Sequence, residues 1–205
     1  MRISTEDYDI ILFLTRLSYY DIPYPEVFKC VAQYEVLSGL RLTMFDMDEY
    51  LLFIFCGTNS FRDWIANIEV GVGLRPVQYE QARRFVLGKA YPHGKPIVIA
   101  GHSLGGGIAT YVTCQLNSIF NIQCITFNAC GCKHLIPDSM ANNDITNIVT
   151  KHDILTGITR RLPFKKYLQL IGETIIVDDK TFLPLSVKSH CDFISLSKID
   201  KEHFQ

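Results

Sequence analysis

The feature that most constrains this chain is a glycine-framed serine between a strand and a helix. Residues 96–109 read PIVIAGHSLGGGIA. The apolar, β-branched start is typical of a strand buried in a parallel sheet, and apolar residues at four-residue spacing then indicate a helix face. In Gly101-x-Ser103-x-Gly105 the serine must adopt strained backbone angles, and flanking side chains would clash. The pattern predicts a nucleophile elbow with an exposed Ser103 Oγ at a helix N-terminus, rather than a turn whose serine only caps the helix.

Composition and charge describe a globular chain and exclude some partners. Apolar residues make up 48% of the 205 residues and charged residues 20%. This balance is typical of a folded globule, and the length predicts a single domain over residues 1–205. Lys and Arg number 20 against 21 Asp and Glu, for a net charge of −1. We therefore expect no nucleic-acid partner.

The seven cysteines are an odd number. Their spacing predicts reduced, mostly buried thiols rather than a disulfide framework. Cys130 and Cys132 have no second Cys or His pair at ligand spacing, so we expect no metal.

The N-terminus has no basic segment ahead of an apolar one, so no secretory signal is predicted. No apolar run approaches the ~20 residues that span a bilayer, so we expect no transmembrane segment. A cytoplasmic location is the expectation, and non-classical export is left open.

The predicted elements alternate between helices and strands. A helix should start at Ser4, and a weaker helical stretch should follow over residues 26–33. The alternation around residues 40–44 predicts a half-exposed strand. Further strands are predicted at residues 50–55, 96–100, 123–127, 145–149 and 173–177, and further helices from about residue 79 to 90 and after Ser103. This order predicts an α/β fold whose mostly parallel central sheet is covered by helices on both faces.

Three blocks together resemble the class 3 lipase family, the α/β-hydrolases that include the fungal triacylglycerol lipases. The blocks are FCGTNSFRDWIANI at 55–68, VIAGHSLGGGIATY at 98–111 and TFNACGC at 126–132. Asp153 and His190 match the family's later single-residue signals. The resemblance implies the α/β-hydrolase fold and a lipase-like activity. One departure is Cys56, because the family usually has arginine there, which affects support of the loop rather than the chemistry.

A serine nucleophile needs a histidine base, and that histidine needs an orienting carboxylate, in the chain order Ser, acid, His. Asp153 directly follows a predicted strand, at the sheet edge that carries Ser103, and the resemblance points to it as well. The competing carboxylates are Asp144, Asp178 and Asp179. His190 follows the last predicted strand and is the expected base, with His203 near the last residue as the alternative.

The tetrahedral intermediate of acyl transfer needs hydrogen-bond donors. The backbone N–H of Leu104, next after the nucleophile, is one expected oxyanion-hole donor. The resemblance places Thr58 as the second. Residues 65–74 are apolar but are interrupted by two glycines, which predicts a short movable lid, with a buried connector as the alternative.

These features predict a serine carboxylic-ester hydrolase that works through an acyl-enzyme on Ser103, without a cofactor. The resemblance implies lipid-like acyl esters as the substrate class, with transient contact to a lipid surface. One alternative is a phospholipase A or thioesterase with the same triad. Another, motivated by Cys56, is a hydrolase-derived binding or structural module without turnover.

Overall fold

The computed structural model describes residues 3–57, 76–140, 144–151, 153, 155 and 169–177. Over these residues the chain forms three α-helices and seven strands. In chain order they are α1 (Thr5–Leu17), β1 (Lys29–Glu35), β2 (Arg41–Asp46), β3 (Leu51–Phe55), α2 (Pro76–Ala90), β4 (Ile97–His102), α3 (Leu104–Leu116), β5 (Ile122–Phe127), β6 (Ile145–Thr150) and β7 (Glu173–Val177). In this part of the chain no helix has both the length and the apolar character needed to cross a bilayer.

The seven strands form one sheet in sequential order, from β1 to β7. The pairs β1–β2 and β2–β3 are antiparallel, and the pairs from β3 to β7 are parallel. The predicted α/β fold with a mostly parallel sheet is therefore confirmed. Because β3 to β7 run in one direction, their carboxyl ends lie along one edge of the sheet, which is where ligands bind in such folds.

Helices cover both faces of the sheet. On one face, α1 contributes Ile11 and Leu14 to a core with Val98 and Ala100 of β4. On the other face, the buried side chains of α2 and α3 pack against Ile97 and Ile99. The central strand β4 is buried over its whole length, because successive side chains enter opposite cores.

The start of α1 follows the predicted capping pattern. Ser4 Oγ accepts a hydrogen bond from the Asp7 N–H at 3.1 Å, and Asp7 Oδ2 accepts one from the Ser4 N–H at 3.0 Å. This reciprocal pair is a capping box, which satisfies two backbone donors at the helix start. The predicted helix start at Ser4 is confirmed.

Two predictions at the N-terminal edge of the sheet were wrong. The helical stretch expected over residues 26–33 is instead a turn followed by β1, because its residues pair with β2 in a register that starts at Lys29 and Asp46. Strand pairing has overridden a weak local helical pattern. The strand expected to be half exposed, β2, is buried on both faces, and Thr43 is only 6% exposed. Its hydroxyl lies 3.1 Å from Tyr24 Oη, so a partner from outside the sheet satisfies the polar side.

Candidate active site

Ser103 occupies the turn between β4 and α3. Its backbone has φ 57° and ψ −124°, a conformation that is strained for any residue other than glycine. It is the N-cap residue of α3, yet its side chain makes no capping hydrogen bond. Within the described residues, Ser103 Oγ has no hydrogen-bond partner. A serine that served only as a helix cap would have used this oxygen, so the geometry is that of an elbow.

The expectation that Ser103 would be exposed was wrong, because the residue is only 2% exposed. Close packing against the end of β3 explains part of this burial. A Cβ atom added to Gly57 would lie 3.3 Å from Ser103 Cβ and 2.9 Å from the His102 carbonyl oxygen. The serine oxygen therefore lies in a site of low solvent access, where electrostatic interactions are strong.

The two glycines of the motif are required by close approach between backbones. A Cβ at Gly105 would lie 2.1 Å from the Phe55 carbonyl oxygen. A Cβ at Gly101 would lie 2.5 Å from the carbonyl group of Gly105. No real side chain tolerates such distances, so the sequence pattern at this turn follows directly from the packing of α3 against β3 and β4.

Leu104, the expected oxyanion-hole donor, is the first residue of α3 and is 8% exposed. The first N–H groups of a helix have no acceptor within the helix, and the helix dipole places partial positive charge there. Leu104 thus has the backbone setting that the predicted role requires, and the role itself stays a prediction.

Asp153, the expected acid, lies beyond the end of β6 and is 1% exposed. Its N–H donates to the Thr150 carbonyl oxygen at 3.1 Å. Burial, and then the nearby Asp153 carboxylate, raise the pKa of the Cys130 thiol to about 12. Cys130 in turn donates its N–H to the Ser103 carbonyl oxygen at 2.9 Å. Asp153 and Ser103 therefore lie at the same edge of the sheet, as predicted.

The competing carboxylate Asp144 directly precedes β6, at the other end of that strand. Its carbonyl oxygen accepts the Cys124 N–H at 2.9 Å, near the start of β5. The remaining predicted residues lie outside the described part of the chain: Thr58, His190, the alternatives Asp178, Asp179 and His203, and the lid at 65–74. Their roles stay predictions.

Sequence reasoning missed Tyr19, which follows α1 and reaches the elbow. Its hydroxyl accepts the Gly57 N–H at 2.8 Å and lies 2.8 Å from His102 Nδ1 and 3.3 Å from the His102 carbonyl oxygen. The Tyr19 and His102 rings also pack edge to face, with centroids 5.5 Å apart. Tyr19 thus joins the end of β3 to the end of β4. Nothing in the local sequence distinguishes it from Tyr20, which is 42% exposed.

Sequence reasoning also missed Asn128, which directly follows β5 and is 1% exposed. Its backbone has φ 42°. Its Oδ1 accepts the Thr150 N–H at 2.8 Å and lies 3.3 Å from the Thr150 hydroxyl, which donates to it. A polar residue at the end of an apolar strand, inside the block at 126–132, was the available signal.

Cys56, the departure from the lipase pattern, is buried and directly follows β3. Burial raises the pKa of its thiol to about 11, although Arg41 and a hydrogen bond with Ser18 act in the opposite direction. Its N–H donates to the Arg41 carbonyl oxygen at 3.0 Å. The side chain therefore behaves as a neutral, packed thiol. Of the six cysteines in the described residues, all are free and only Cys30 is exposed. The described residues contain no group of three His, Cys, Asp or Glu side chains that could hold a metal ion.

Comparisons with known proteins identify the family of this chain. The family model of the Tle-like phospholipase domain matches residues 31–157. The extracellular phospholipase A1 of Serratia liquefaciens is 36% identical over 94 residues, which are 46% of this chain and 28% of that protein. The chain thus matches little more than a quarter of that relative's length.

Several similar solved structures are lipases. Lipase II from Rhizopus niveus has a TM-score of 0.62 at 16% identity, over 86% of this chain and 83% of that lipase. The Lip2 lipase of Yarrowia lipolytica has a TM-score of 0.59 at 15% identity, over 86% of this chain and 80% of that lipase. These likenesses show the α/β-hydrolase fold of the lipases, and the lipase-like resemblance is confirmed. With the family match covering more than half of its length, the chain belongs to the phospholipase-like family defined by the Tle-like phospholipase domain.

Proposed function

We propose that this chain is a serine hydrolase that cleaves the acyl esters of lipids through an acyl-enzyme on Ser103. The observation that carries the proposal is the backbone of Ser103, which is held at φ 57° on a helix N-cap while its side chain makes no capping bond. A fold maintains such strain only where surrounding contacts enforce it, and it is common at catalytic turns. The family membership supports the same activity.

The proposed reaction starts when Ser103 Oγ attacks the ester carbonyl carbon, while His190 takes the serine proton. The tetrahedral oxyanion accepts hydrogen bonds from the Leu104 N–H and from Thr58. Collapse breaks the bond to the alcohol, which leaves with the proton from the histidine. A water molecule then attacks the acyl-enzyme by the same route and releases the fatty acid and free Ser103. Asp153 orients the histidine and stabilises its charged form. No cofactor is needed.

Phospholipids are the favoured substrate within the lipid esters. The family is named for a phospholipase, and the relative from Serratia is a phospholipase A1. The solved lipases support the fold alone, and the thioesterase alternative has no observation in its favour. Transient contact with a lipid surface follows from such a substrate, because the acyl ester lies within the bilayer or micelle. A cytoplasmic location and a single domain over residues 1–205 stay predictions.

A fluorophosphonate probe tests the nucleophile, since it reacts covalently with activated serines. We expect the label on Ser103, located by peptide mass spectrometry. Ser103→Ala should lose the label and lower kcat on a p-nitrophenyl ester on the order of 10⁶-fold. Ser118→Ala is the matched control, because this exposed serine lies just beyond α3. Absence of a label on Ser103 would favour the non-catalytic module. A tenth of wild-type turnover in Ser103→Ala would mean that another residue is the nucleophile.

The substrate class needs a second measurement. Phosphatidylcholine vesicles with different acyl chains at the two glycerol positions distinguish phospholipase A1 from A2 by the fatty acid released. We expect release to depend on Ser103 and to exceed that from triacylglycerol emulsions. Faster cleavage of the emulsions would replace the phospholipid assignment with a lipase.

A further inference from the structure

We propose that Asn128 is a positioning residue for the reaction, which holds the end of β6, and with it Asp153, in place relative to Ser103. The inference rests on the proposed function, because it assigns Asn128 a part in the work of that same site. It uses only residues that the structure describes.

The segment around Asn128 is bonded to the elbow at two points. The Ser103 N–H donates to the Phe127 carbonyl oxygen at 3.2 Å, and the Cys130 N–H donates to the Ser103 carbonyl oxygen at 2.9 Å. Asn128 lies between these two contacts in the chain. Its backbone position is therefore fixed relative to Ser103.

The side chain of Asn128 connects this segment to the acid. Its Oδ1 accepts the N–H and the hydroxyl of Thr150, at 2.8 Å and 3.3 Å. The Thr150 carbonyl oxygen accepts the Asp153 N–H at 3.1 Å. A short series of hydrogen bonds thus runs from Asn128 through Thr150 to the backbone of Asp153.

Asn128 performs this task where the regular ladder between β5 and β6 ends. The Asn128 N–H still donates to the Ile148 carbonyl oxygen, at 2.9 Å. In a regular parallel ladder, the Asn128 carbonyl would then accept the Thr150 N–H. With φ at 42° the backbone leaves the strand conformation, and Oδ1 takes the place of that carbonyl. The side chain extends the pairing of the two strands past the point where the backbone turns away.

Asparagine is suited to both demands of this position. The left-handed backbone region favours Gly, Asn and Asp. Glycine would relieve the backbone but would leave the Thr150 N–H without its Oδ1 acceptor, and Thr150 is 1% exposed. Aspartate would place a negative charge at a position that is 1% exposed, and burying an unpaired charge is costly. The position therefore requires an uncharged side-chain acceptor and a left-handed backbone, and asparagine supplies both.

Asn128→Gly is the test variant, because it keeps the backbone conformation and removes the acceptor. We expect kcat on a p-nitrophenyl ester to fall about tenfold, with KM within about twofold. A carboxylate held less firmly stabilises the imidazolium less, so the acidic limb of the kcat/KM profile should move down by roughly half a pH unit. Thr150→Val, which removes only the 3.3 Å bond and keeps the N–H, should change both quantities in the same direction but by less.

Thr126→Val is the matched control for a loss of buried hydrogen bonding. Its hydroxyl donates to Asn147 Oδ1 at 2.8 Å, between the same two strands but outside the series of hydrogen bonds that leads to Asp153. It should lower the unfolding midpoint while leaving kcat within about twofold and the pH profile unchanged. If Asn128→Gly behaves as Thr126→Val does, the positioning role is wrong although the proposed function stands. If the wild-type protein shows no Ser103-dependent turnover, the proposed function fails first, and the role of Asn128 fails with it.

Discussion

The elbow is held differently on its two sides. On the β3 side, Gly57 packs against Ser103, and Tyr19 joins Gly57 to His102 through its hydroxyl. On the β5–β6 side, backbone groups of residues 127–130 bond directly to Ser103, and Asn128 reaches β6. One side depends on the hydroxyl of Tyr19, which follows α1 and lies 83 residues from His102 in the chain, and the other depends on neighbouring strands.

The two sides of the elbow are therefore positioned in different ways, one by the order of strands in the sheet and the other by the packing of α1. The β5–β6 side starts from the topology, because parallel neighbours bring their carboxyl ends together, and the Asn128 side chain then extends their pairing. The β3 side requires that α1 pack correctly on its face of the sheet before Tyr19 can reach Gly57. We therefore expect the β5–β6 side to determine the chemistry and the β3 side to respond to small changes in packing.

The largest expected effect is on the β5–β6 side. Asp153→Asn should lower kcat about 10⁴-fold with the fold intact, because the amide no longer orients and stabilises the histidine base. Turnover of a p-nitrophenyl ester measures it, with unfolding midpoints as a check. Asp144→Asn, at the opposite end of β6, is the control and should remain close to wild type. If Asp144→Asn lost activity and Asp153→Asn did not, the acid would be Asp144, and the β5–β6 side of the elbow would not carry the catalytic acid.

The next effect concerns packing on the β3 side. In Gly57→Ala the new Cβ would lie 2.1 Å from Tyr19 Oη, so we expect a loss of about 2 kcal/mol in the free energy of unfolding. Tyr19→Phe removes that oxygen, and the double variant should therefore lose about 1 kcal/mol less than the sum of the two single losses. Urea unfolding measures all three free energies.

Gly88→Ala is the control for the glycine substitution. A Cβ there meets no atom within 4 Å, and the residue lies inside α2. It should stabilise the protein by about 0.5–1 kcal/mol, since alanine favours helix more than glycine does. Strictly additive losses for Tyr19→Phe and Gly57→Ala would show that Tyr19 does not limit the space beside Gly57.

Tyr19→Phe by itself should have a smaller effect. It keeps the ring contact with His102 but removes the acceptor for the Gly57 N–H, so we expect about 1 kcal/mol less stability and a kcat about fivefold lower. KM should stay within about twofold, because nothing places Tyr19 on the substrate. Tyr20→Phe, on the exposed neighbour, should change neither quantity. Unchanged kcat in Tyr19→Phe would limit its role to stability.

The residues on the two sides of the elbow were not equally predictable from the sequence. Ser103 and Asp153 could be placed at one sheet edge because each follows a predicted strand and parallel strands end at the same edge, and the structure has them there. Asn128 was missed because a left-handed residue at a strand end has no periodic signature. Tyr19 was missed because its partners are distant in sequence, so that only the packing of α1 brings them together. The helix predicted over residues 26–33 was wrong for a similar reason, since β1 depends on pairing with β2.

The smallest expected effect tests whether α1 transmits changes to the elbow. Burial opposes ionisation of Asp7, but hydrogen bonds from Ser4 and Tyr50 outweigh it and lower the pKa of this carboxyl below its ordinary 3.8. A lowered pKa in the folded state means that the carboxylate stabilises the fold above pH 3.8, and that this stability is lost as the pH falls through the folded-state pKa. Asp7→Asn should cost about 0.5–1 kcal/mol at pH 7.

This loss should diminish as the pH falls through the folded-state pKa of Asp7, because the wild-type carboxylate then becomes protonated as well. Thermal unfolding between pH 2 and 7 measures it, with the exposed Asp9→Asn as the control. Turnover should stay at the wild-type level, because the capping box is at the far end of α1 from Tyr19. A matching loss of kcat would show that the β3 side responds to the whole helix rather than to its last turn.

The buried thiols provide a means of following these variants. Of the six cysteines in the described residues, five are buried, and Cys30 on the outer strand β1 is exposed. Burial raises the pKa of Cys56 to about 11 and that of Cys124 to about 12, so neither forms an appreciable thiolate at neutral pH. A maleimide should therefore modify Cys30 in the native protein and reach the five buried thiols, four of which lie in the core under α2 and α3, only when the structure around them opens. The rate of their alkylation then reports local opening beside the elbow, without any label being engineered into the chain.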